Sequence, residues 1–367
     1  MKVIYLLGSL NRGGTETLIL DLVKNIKKSD FDFLVLHRKS GALKDDFYQS
    51  GIQIKPLKSG NFLKIIWHLR FLVKKEKVNI IHAQQPIDLI YAYVATIGLK
   101  TKVVMTMHGF DFEYTGKDKK ILELSFKYAD KNLFVSEYQA AYFKKEYGLN
   151  AAKVLVHYNA LALEKFEHSG NNNYLRKELH LKNNFILLGT VGNFVPVRDH
   201  MIICRFLKQL RDNHINFHFV FAGSRSDKYP ELYDNCVEYC RTNKLESQVT
   251  FSGSRNDIPT FLPQLDAFIY ATNHDTFGIA VIEAIASGIP VFVNNWPVME
   301  EVTENGKMAT LYPTGDEEAL MKLFEKFLNN RPIYSKKAVD SANMVKSKYQ
   351  IDKHVNNLKD IYGQILK

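Results

Sequence analysis

Asp275-Thr276-Phe277-Gly278-Ile279-Ala280-Val281-Ile282-Glu283-Ala284-Ile285-Ala286-Ser287-Gly288-Ile289-Pro290-Val291 is the stretch on which the fold turns. Its centre, residues 277–287, is dense in apolar helix formers, and Gly288 and Pro290 are the residues that stop a helix. Short apolar runs flank it at 267–271 and 290–294, the pattern of strands buried on both faces. Strand, helix and strand in immediate succession make a βαβ unit, whose ligands bind beyond the carboxyl ends of the strands. Two acids frame this helix. Asp275 stands in the loop before it and Glu283 two turns beyond. Carboxylates so placed can accept hydrogen bonds from the hydroxyls of one sugar-bearing ligand. A helix-capping Asp beside an exposed Glu is the purely structural alternative.

Working outward, the same alternation repeats. Strands are expected at 3–7, 33–37, 52–55, 79–82, 102–107, 132–135 and 153–156, then at 185–191, 217–222, 249–252, 267–271, 290–294 and 309–312, with helices between most of them. The polar stretch 164–184, rich in Asn, separates the two series and reads as a linker with one short helix. The expected architecture is α/β: two doubly wound, Rossmann-like domains facing a central cleft. They span 1–165 and 184–345, with 166–183 between them. Residues 346–367 form a last helix, in which Ile351, Val355, Leu358, Ile361, Tyr362 and Ile365 recur at helical spacing and require an apolar surface to cover them.

The composition is that of a globular chain. Of 367 residues, 46% are hydrophobic and 24% charged. No export signal is evident and no apolar run reaches the length of a spanning helix, so a cytoplasmic enzyme is expected. Cys204, Cys236 and Cys240 are too few and too isolated for a disulfide framework, and core thiols are the expectation rather than a metal site. The formal charge of +10 is unevenly placed: residues 1–165 hold 26 Lys and Arg against 16 Asp and Glu, and residues 166–367 hold 23 of each. A one-sided basic field of this kind suits peripheral contact with an anionic membrane at the inner face of the cell. No nucleic-acid recognition motif accompanies it.

Several strand exits carry glycine or a chemically capable side chain. The first is Gly8-Ser9-Leu10-Asn11-Arg12-Gly13-Gly14-Thr15-Glu16, opening a helix near Thr15; it is neither a dinucleotide fingerprint nor a Walker loop, which disfavours a nicotinamide oxidoreductase. His108 follows the strand 102–107, where an imidazole can orient or exchange protons with a ligand. Gly192-Asn193 and Arg198-Asp199 follow the strand 185–191, with Arg198 able to hold a phosphate. Gly223 and Arg225 follow 217–222. The single D-x-D, Asp30-Phe31-Asp32, precedes its strand, the wrong end for a metal-binding loop.

At these residues the chain resembles the retaining glycosyltransferases of the GT-B fold, family-4 type, over nearly its whole length. The family's E-x7-E element and following Glu-Ala-x-Ala-x-Gly-x-Pro-Val run are matched by Glu283 to Val291, with Asp275 one methylene short at the first acid. Gly13-Gly14-Thr15-Glu16 resembles the family's Gly-Gly loop, and His108-Gly109 its Thr-x-His-Gly element. The resemblance implies transfer of a sugar from a nucleotide-diphospho-sugar, UDP- or GDP-linked, to an acceptor hydroxyl in polysaccharide or lipid-linked oligosaccharide synthesis, without metal or other cofactor. It implies that Glu283 binds the ribose and Asp275 the donor sugar. Arg198 would hold the diphosphate, and Phe277, Gly278 and Ile279 would offer backbone N–H groups. Gly192, Asn193 and Gly223 would lie against the donor, Gly14 would approach from the first domain, and His108 would orient the reacting groups. His108, Asp275 and Arg198 form the expected catalytic set. Asn193 stands where the family commonly has Arg, with Arg225 the candidate to compensate. A nucleotide-sugar epimerase or hydrolase, or a non-catalytic sugar-nucleotide-binding subunit, would share the fold.

Overall fold

The computed structural model describes residues 1–26, 31–57, 60–166, 173–182 and 184–367. Asp30 and residues 167–172 and 183, which include part of the expected linker, lie outside them. The chain divides into two compact units: Met1–Ala162 with Tyr349–Lys367, and Leu163–Lys348.

In the first unit the order is β1 (Lys2–Ser9), α1 (Gly14–Asn25), β2 (Asp32–Lys39), α2 (Lys44–Tyr48), β3 (Gln53–Pro56), α3 (Phe62–Lys75), β4 (Ile80–Ala83), α4 (Pro86–Thr96), β5 (Lys102–Met107), α5 (Gly116–Tyr128), β6 (Lys131–Phe134), α6 (Glu137–Glu146) and β7 (Val154–Val156). The second unit continues with α7 (Tyr174–Glu178), β8 (Ile186–Val191), α8 (His200–Asp212), β9 (Phe217–Ala222), α9 (Pro230–Thr242), β10 (Val249–Phe251), α10 (Ile258–Phe261), β11 (Ala267–Tyr270), α11 (Ile279–Ala286), β12 (Val291–Asn294), α12 (Pro297–Val302), β13 (Thr310–Tyr312), α13 (Glu317–Asn329) and α14 (Arg331–Lys348). The last helix, α15 (Ile351–Leu366), belongs to the first unit.

Each unit is built on a parallel sheet. The strand orders are β3-β2-β1-β4-β5-β6-β7 and β10-β9-β8-β11-β12-β13. These are the seven and six strands expected from the sequence, with ends moved by one or two residues. In both sheets the direction of winding reverses once, between β1 and β4 and between β8 and β11. At those switch points neighbouring crossovers leave on opposite faces, and the strand ends part to admit a ligand.

The strands are apolar because both faces are covered: the central residues of β1, Val3 to Leu7, are at most 1% exposed. The thiols of Cys204, Cys236 and Cys240 are buried in the second unit's core, with the Sγ atoms of Cys204 and Cys240 3.9 Å apart. The segment read as linker contributes to that unit. Within it Phe166 and Leu175 are buried, Tyr174 Oη donates to Asp257 at 2.7 Å, and Arg255 pairs with Glu178 at 2.9 Å, and the unit already begins at Leu163, inside the span expected for the first domain. The segment's polar composition conceals two apolar anchors.

Helix α15 buries Ile351, Val355, Leu358 and Tyr362 in the core of the first unit. A polar network goes in with them. His82 Nδ1 lies 2.6 Å from Tyr362 Oη and its Nε2 lies 2.7 Å from Thr106 Oγ1; Tyr362 donates onward to Tyr5 Oη at 3.2 Å. His354 Nδ1 donates to the Tyr158 carbonyl at 2.9 Å, so its Nε2 accepts the proton of His157 Nε2 at 3.1 Å. This arrangement requires a neutral His354 ring, and burial pushes all of these imidazoles well below their ordinary pKa, His82 to about 3 and His354 to about 4.

Candidate functional site

Both switch points carry the residues singled out in the sequence. In the second unit, the loops after β8, β9 and β11 are tied together by backbone and side chain. Asn193 Oδ1 accepts from Ser224 N at 2.9 Å, joining the first two. Asp199 N donates to the Ala271 carbonyl, and Asn273 N to that of Val197, joining the first and third. Gly223 is there because nothing larger fits: a Cβ would fall 1.9 Å from the Gly192 carbonyl oxygen. Gly223→Ala should therefore force the two loops apart and cost about 2–3 kcal/mol, read as a lowered midpoint in denaturant; an unchanged midpoint would mean the loops are not held in contact.

At the centre is an ion pair. Arg198 Nη1 lies 2.6 Å from Asp275 Oδ2, both side chains largely shielded from solvent, and the guanidinium sits over the Tyr270 ring, 4.5 Å from its centroid. Tyr270 Oη donates to the same Oδ2 at 2.5 Å. Asp275 Oδ1 accepts from the amides of Phe277 and Gly278 at 3.1 and 3.0 Å, and Trp296 Nε1 donates to the Asp275 carbonyl at 2.9 Å. Burial draws the Arg198 pKa down and the Asp275 charge opposes it. Gly192 lies beside the guanidinium, where a Cβ would be 2.9 Å from Nε.

Asp275 thus shapes its own loop. Gly278 heads α11 at φ +75, a left-handed conformation that glycine adopts without strain, and a Cβ there would also meet Met299 Cε at 2.7 Å. Phe277 is buried, and Ile279 begins the helix, at 279–286 rather than the expected 277–287. Glu283 is half-buried one turn further on. Arg225 forms a two-pronged, exposed pair with Asp234 of α9, at 2.8 and 2.6 Å, so its guanidinium already has a counter-charge.

In the first unit a cavity of about 300 Å³ opens at the β1/β4 switch point. His108 lines it, its Nε2 2.7 Å from Gln84 Oε1. Burial, and secondarily the neighbouring His354, lowers the His108 pKa to about 4, so the ring is neutral at neutral pH and carries its proton on the nitrogen facing Gln84. Gly14 begins α1, whose next residues, Thr15 and Glu16, also line the cavity. Burial raises the Glu16 pKa. The Gln84 Nε2 is buried without a protein partner. Among the described residues, no group of three or more His, Cys, Asp or Glu is arranged to hold a metal ion.

Residues 12–165 match the family model described as Glycosyltransferase Family 4, and residues 171–345 match Glycosyl transferases group 1. The chain belongs to the family-4 glycosyltransferases. It is 23% identical over 368 residues to the UDP-Gal:alpha-D-GlcNAc-diphosphoundecaprenol alpha-1,3-galactosyltransferase of Escherichia coli, covering 95% of this chain and 93% of that one. It is 24% identical over 315 residues to the O-antigen biosynthesis glycosyltransferase WclY of Escherichia coli, covering 82% of each. Among solved structures, Anabaena Alr3699/HepE in complex with UDP and glucose shares the fold at a TM-score of 0.88, with 18% identity over 99% of this chain and 100% of that one.

Three features of this glycosyltransferase escaped the sequence reading. Glu16 and Gln84 were not nominated for the cavity, although Glu16 follows the Gly-Gly loop directly and Gln84 follows a strand. Tyr270 was read only as part of a strand. The strand expected at 267–271 did not mark it as a strand end, and its place beside the Arg198 loop arises only from strand order.

Proposed function

We propose that this glycosyltransferase moves a sugar, with retention of configuration, from a nucleotide-diphospho-sugar to a hydroxyl of a growing polysaccharide or lipid-linked oligosaccharide. The observation that carries the reading is the fixed loop 275–278, pinned by Asp275 and set against Arg198 at the switch point of the second sheet. Breaking the bond from the anomeric carbon to the donor phosphate leaves its electron pair on the diphosphate. A site that stabilises this charge needs donors already in place, because reorganising them during the reaction would forfeit most of their effect. Arg198 retains N–H groups beyond the one given to Asp275, and the start of α11 adds backbone N–H groups. Asp275 supports both, so its role in this reading is to position these donors as well as to meet the sugar.

Glu283 takes the ribose hydroxyls in this proposal, as a carboxylate accepting two hydrogen bonds. The first unit holds the acceptor side. Its cavity offers the neutral His108, the Gln84 amide nitrogen without a protein partner, and Glu16, a set suited to hydroxyl groups. The acceptor oxygen forms the new bond to the anomeric carbon and its proton passes to the departing phosphate. The polysaccharide setting is supported by the named activities of the similar Escherichia coli proteins.

Incubation with UDP-, GDP- and ADP-sugars and a bacterial lipid extract, followed by nucleotide release and product mass, tests the proposal. Acceptor-dependent release with a mass gain of one sugar is expected; release indifferent to acceptor would make the protein a hydrolase. Glu283→Ala should weaken binding of the productive nucleotide about 100-fold with the circular dichroism unchanged. Unaltered affinity by calorimetry would remove Glu283 from the nucleotide site.

A further inference from the structure

An arginine and an aspartate left to themselves pair edge to edge, two N–H groups against two oxygens. The second unit contains this arrangement twice. Arg225 meets both oxygens of Asp234 through Nε and Nη2 at 2.8 and 2.6 Å, and Arg255 meets both oxygens of Asp257 through the same two nitrogens, each at 2.8 Å. Arg198 and Asp275 pair differently. Their contact is single, Nη1 to Oδ2 at 2.6 Å, although neither side chain is more than 17% exposed.

Asp275 has no second oxygen to offer. Its Oδ1 is taken by the amides of Phe277 and Gly278, and its Oδ2 is shared with the Tyr270 hydroxyl. The Tyr270 ring supports the guanidinium instead, with Arg198 Cζ 4.5 Å from its centroid. A ring face attracts a cation through its π electrons and uses none of the N–H groups, which lie in the plane of the guanidinium. Arg198 is therefore held in place with most of its donors unspent: among the described residues its guanidinium hydrogen-bonds to Asp275 alone.

Tyr270 can serve as a support because it is itself fixed. It ends β11, is 1% exposed, and its carbonyl accepts from Tyr312 Oη at 2.7 Å. A phenol so deeply buried needs a partner for its hydroxyl. The partner here is the counter-ion of the cation that the ring carries. The Arg198 backbone is set at the same point, where it bridges Thr272 just beyond Tyr270. We infer that Tyr270 is a positioning residue of the donor site: its ring and hydroxyl keep Arg198 in a one-pronged pair with Asp275, so that the remaining guanidinium N–H groups stay available to the diphosphate of the nucleotide. An aliphatic residue at the end of β11 would leave Oδ2 with a single donor and the cation without its support, and the arginine would turn to spend further N–H groups on the carboxylate. This role rests on the reading of the second unit's site as one for a nucleoside diphosphate.

The test is titration calorimetry of the full chain with UDP, GDP and ADP, followed by a double-mutant cycle on whichever binds most tightly. Tyr270→Leu should weaken binding about tenfold, and Tyr270→Phe, which keeps the ring, about two- to threefold. Arg198→Ala should weaken it about thirtyfold. Adding Tyr270→Leu to Arg198→Ala should cost less than about twofold more, because a residue that acts through Arg198 then has nothing to position. Circular dichroism and a thermal melt accompany each variant, and if Tyr270→Leu does not fold, the cycle is read on Tyr270→Phe by the same criterion. A loss as large in the Arg198→Ala background as in the parent would make the tyrosine a packing residue and overturn the inference, as would an affinity unchanged by Tyr270→Leu. A parent protein that binds none of the three nucleotides would remove the donor reading itself, and this role of Tyr270 with it.

Discussion

Asp275→Asn should leave the protein folded and lower turnover of the nucleotide-sugar by about 100-fold. The carboxylate is one group serving four donors: Arg198 and Tyr270 on one oxygen, the amides of Phe277 and Gly278 on the other. An asparagine oxygen can keep the two amides, but its NH₂ then faces the Arg198 N–H. The tyrosine hydroxyl can rotate away from that conflict, whereas the guanidinium has only donors and must move. The same change strips a largely buried cation of its counter-charge and should cost about 1–3 kcal/mol of stability. Asp275→Glu retains the charge and should recover most of the activity at some cost in geometry. The measurement is kcat with the donor saturating, beside a thermal melt. If the asparagine variant turned over like the parent, the geometry of loop 275–278 would be irrelevant to the chemistry.

Acid should unfold the first unit well above the pH at which carboxylates titrate. The four histidines grouped around the seat of α15 are neutral in the fold, His82 near 3, His108 and His354 near 4 and His157 also far below its ordinary value, each chiefly through burial. In the unfolded chain they take up protons near pH 6.5. Between those limits the unfolded state binds more protons, so stability is complete above about pH 6.5 and falls as the pH drops towards 4. A group moved from about 6.5 to about 4 accounts for roughly 3 kcal/mol by pH 4. The melting temperature should fall by more than about 10 °C between pH 7 and 5. The His157–His354 contact makes the loss steeper, because two protonated rings would face each other N–H to N–H. A melting temperature level across that range would show that these rings take up protons in place.

The fold was legible because its elements repeat a pattern with a simple period, and parallel strands buried on both faces are apolar without interruption. The segment around Glu283 could be read for the same reason: the helix is bounded by glycine and proline, and the acid sits at a countable distance from its start. Asp275 could be located but not understood, since its partners Arg198 and Tyr270 arrive through strand order, which spacing along the chain does not express. Glu16 and Gln84 meet His108 only because β1, β4 and β5 are neighbours in the sheet. Asn193 looked like a missing cation, and the structure gives it work that an arginine would not do in the same way, as acceptor for the Ser224 amide. The buried anchors Phe166 and Leu175 were hidden by the polar residues between them.

The seating of α15 has a consequence for the order in which the protein can be made. His82 and Tyr362 are hydrogen-bonded across 280 residues of chain, and the core that contains Tyr5 is closed by a helix that leaves the ribosome only after the whole second unit. The second unit is continuous, and all of it is synthesised before that helix emerges. During translation the stretch Met1–Ala162 therefore waits with an open apolar surface and a set of histidines not yet enclosed, while the later unit has everything it needs to fold. Of the two units, the one begun earlier is completed later.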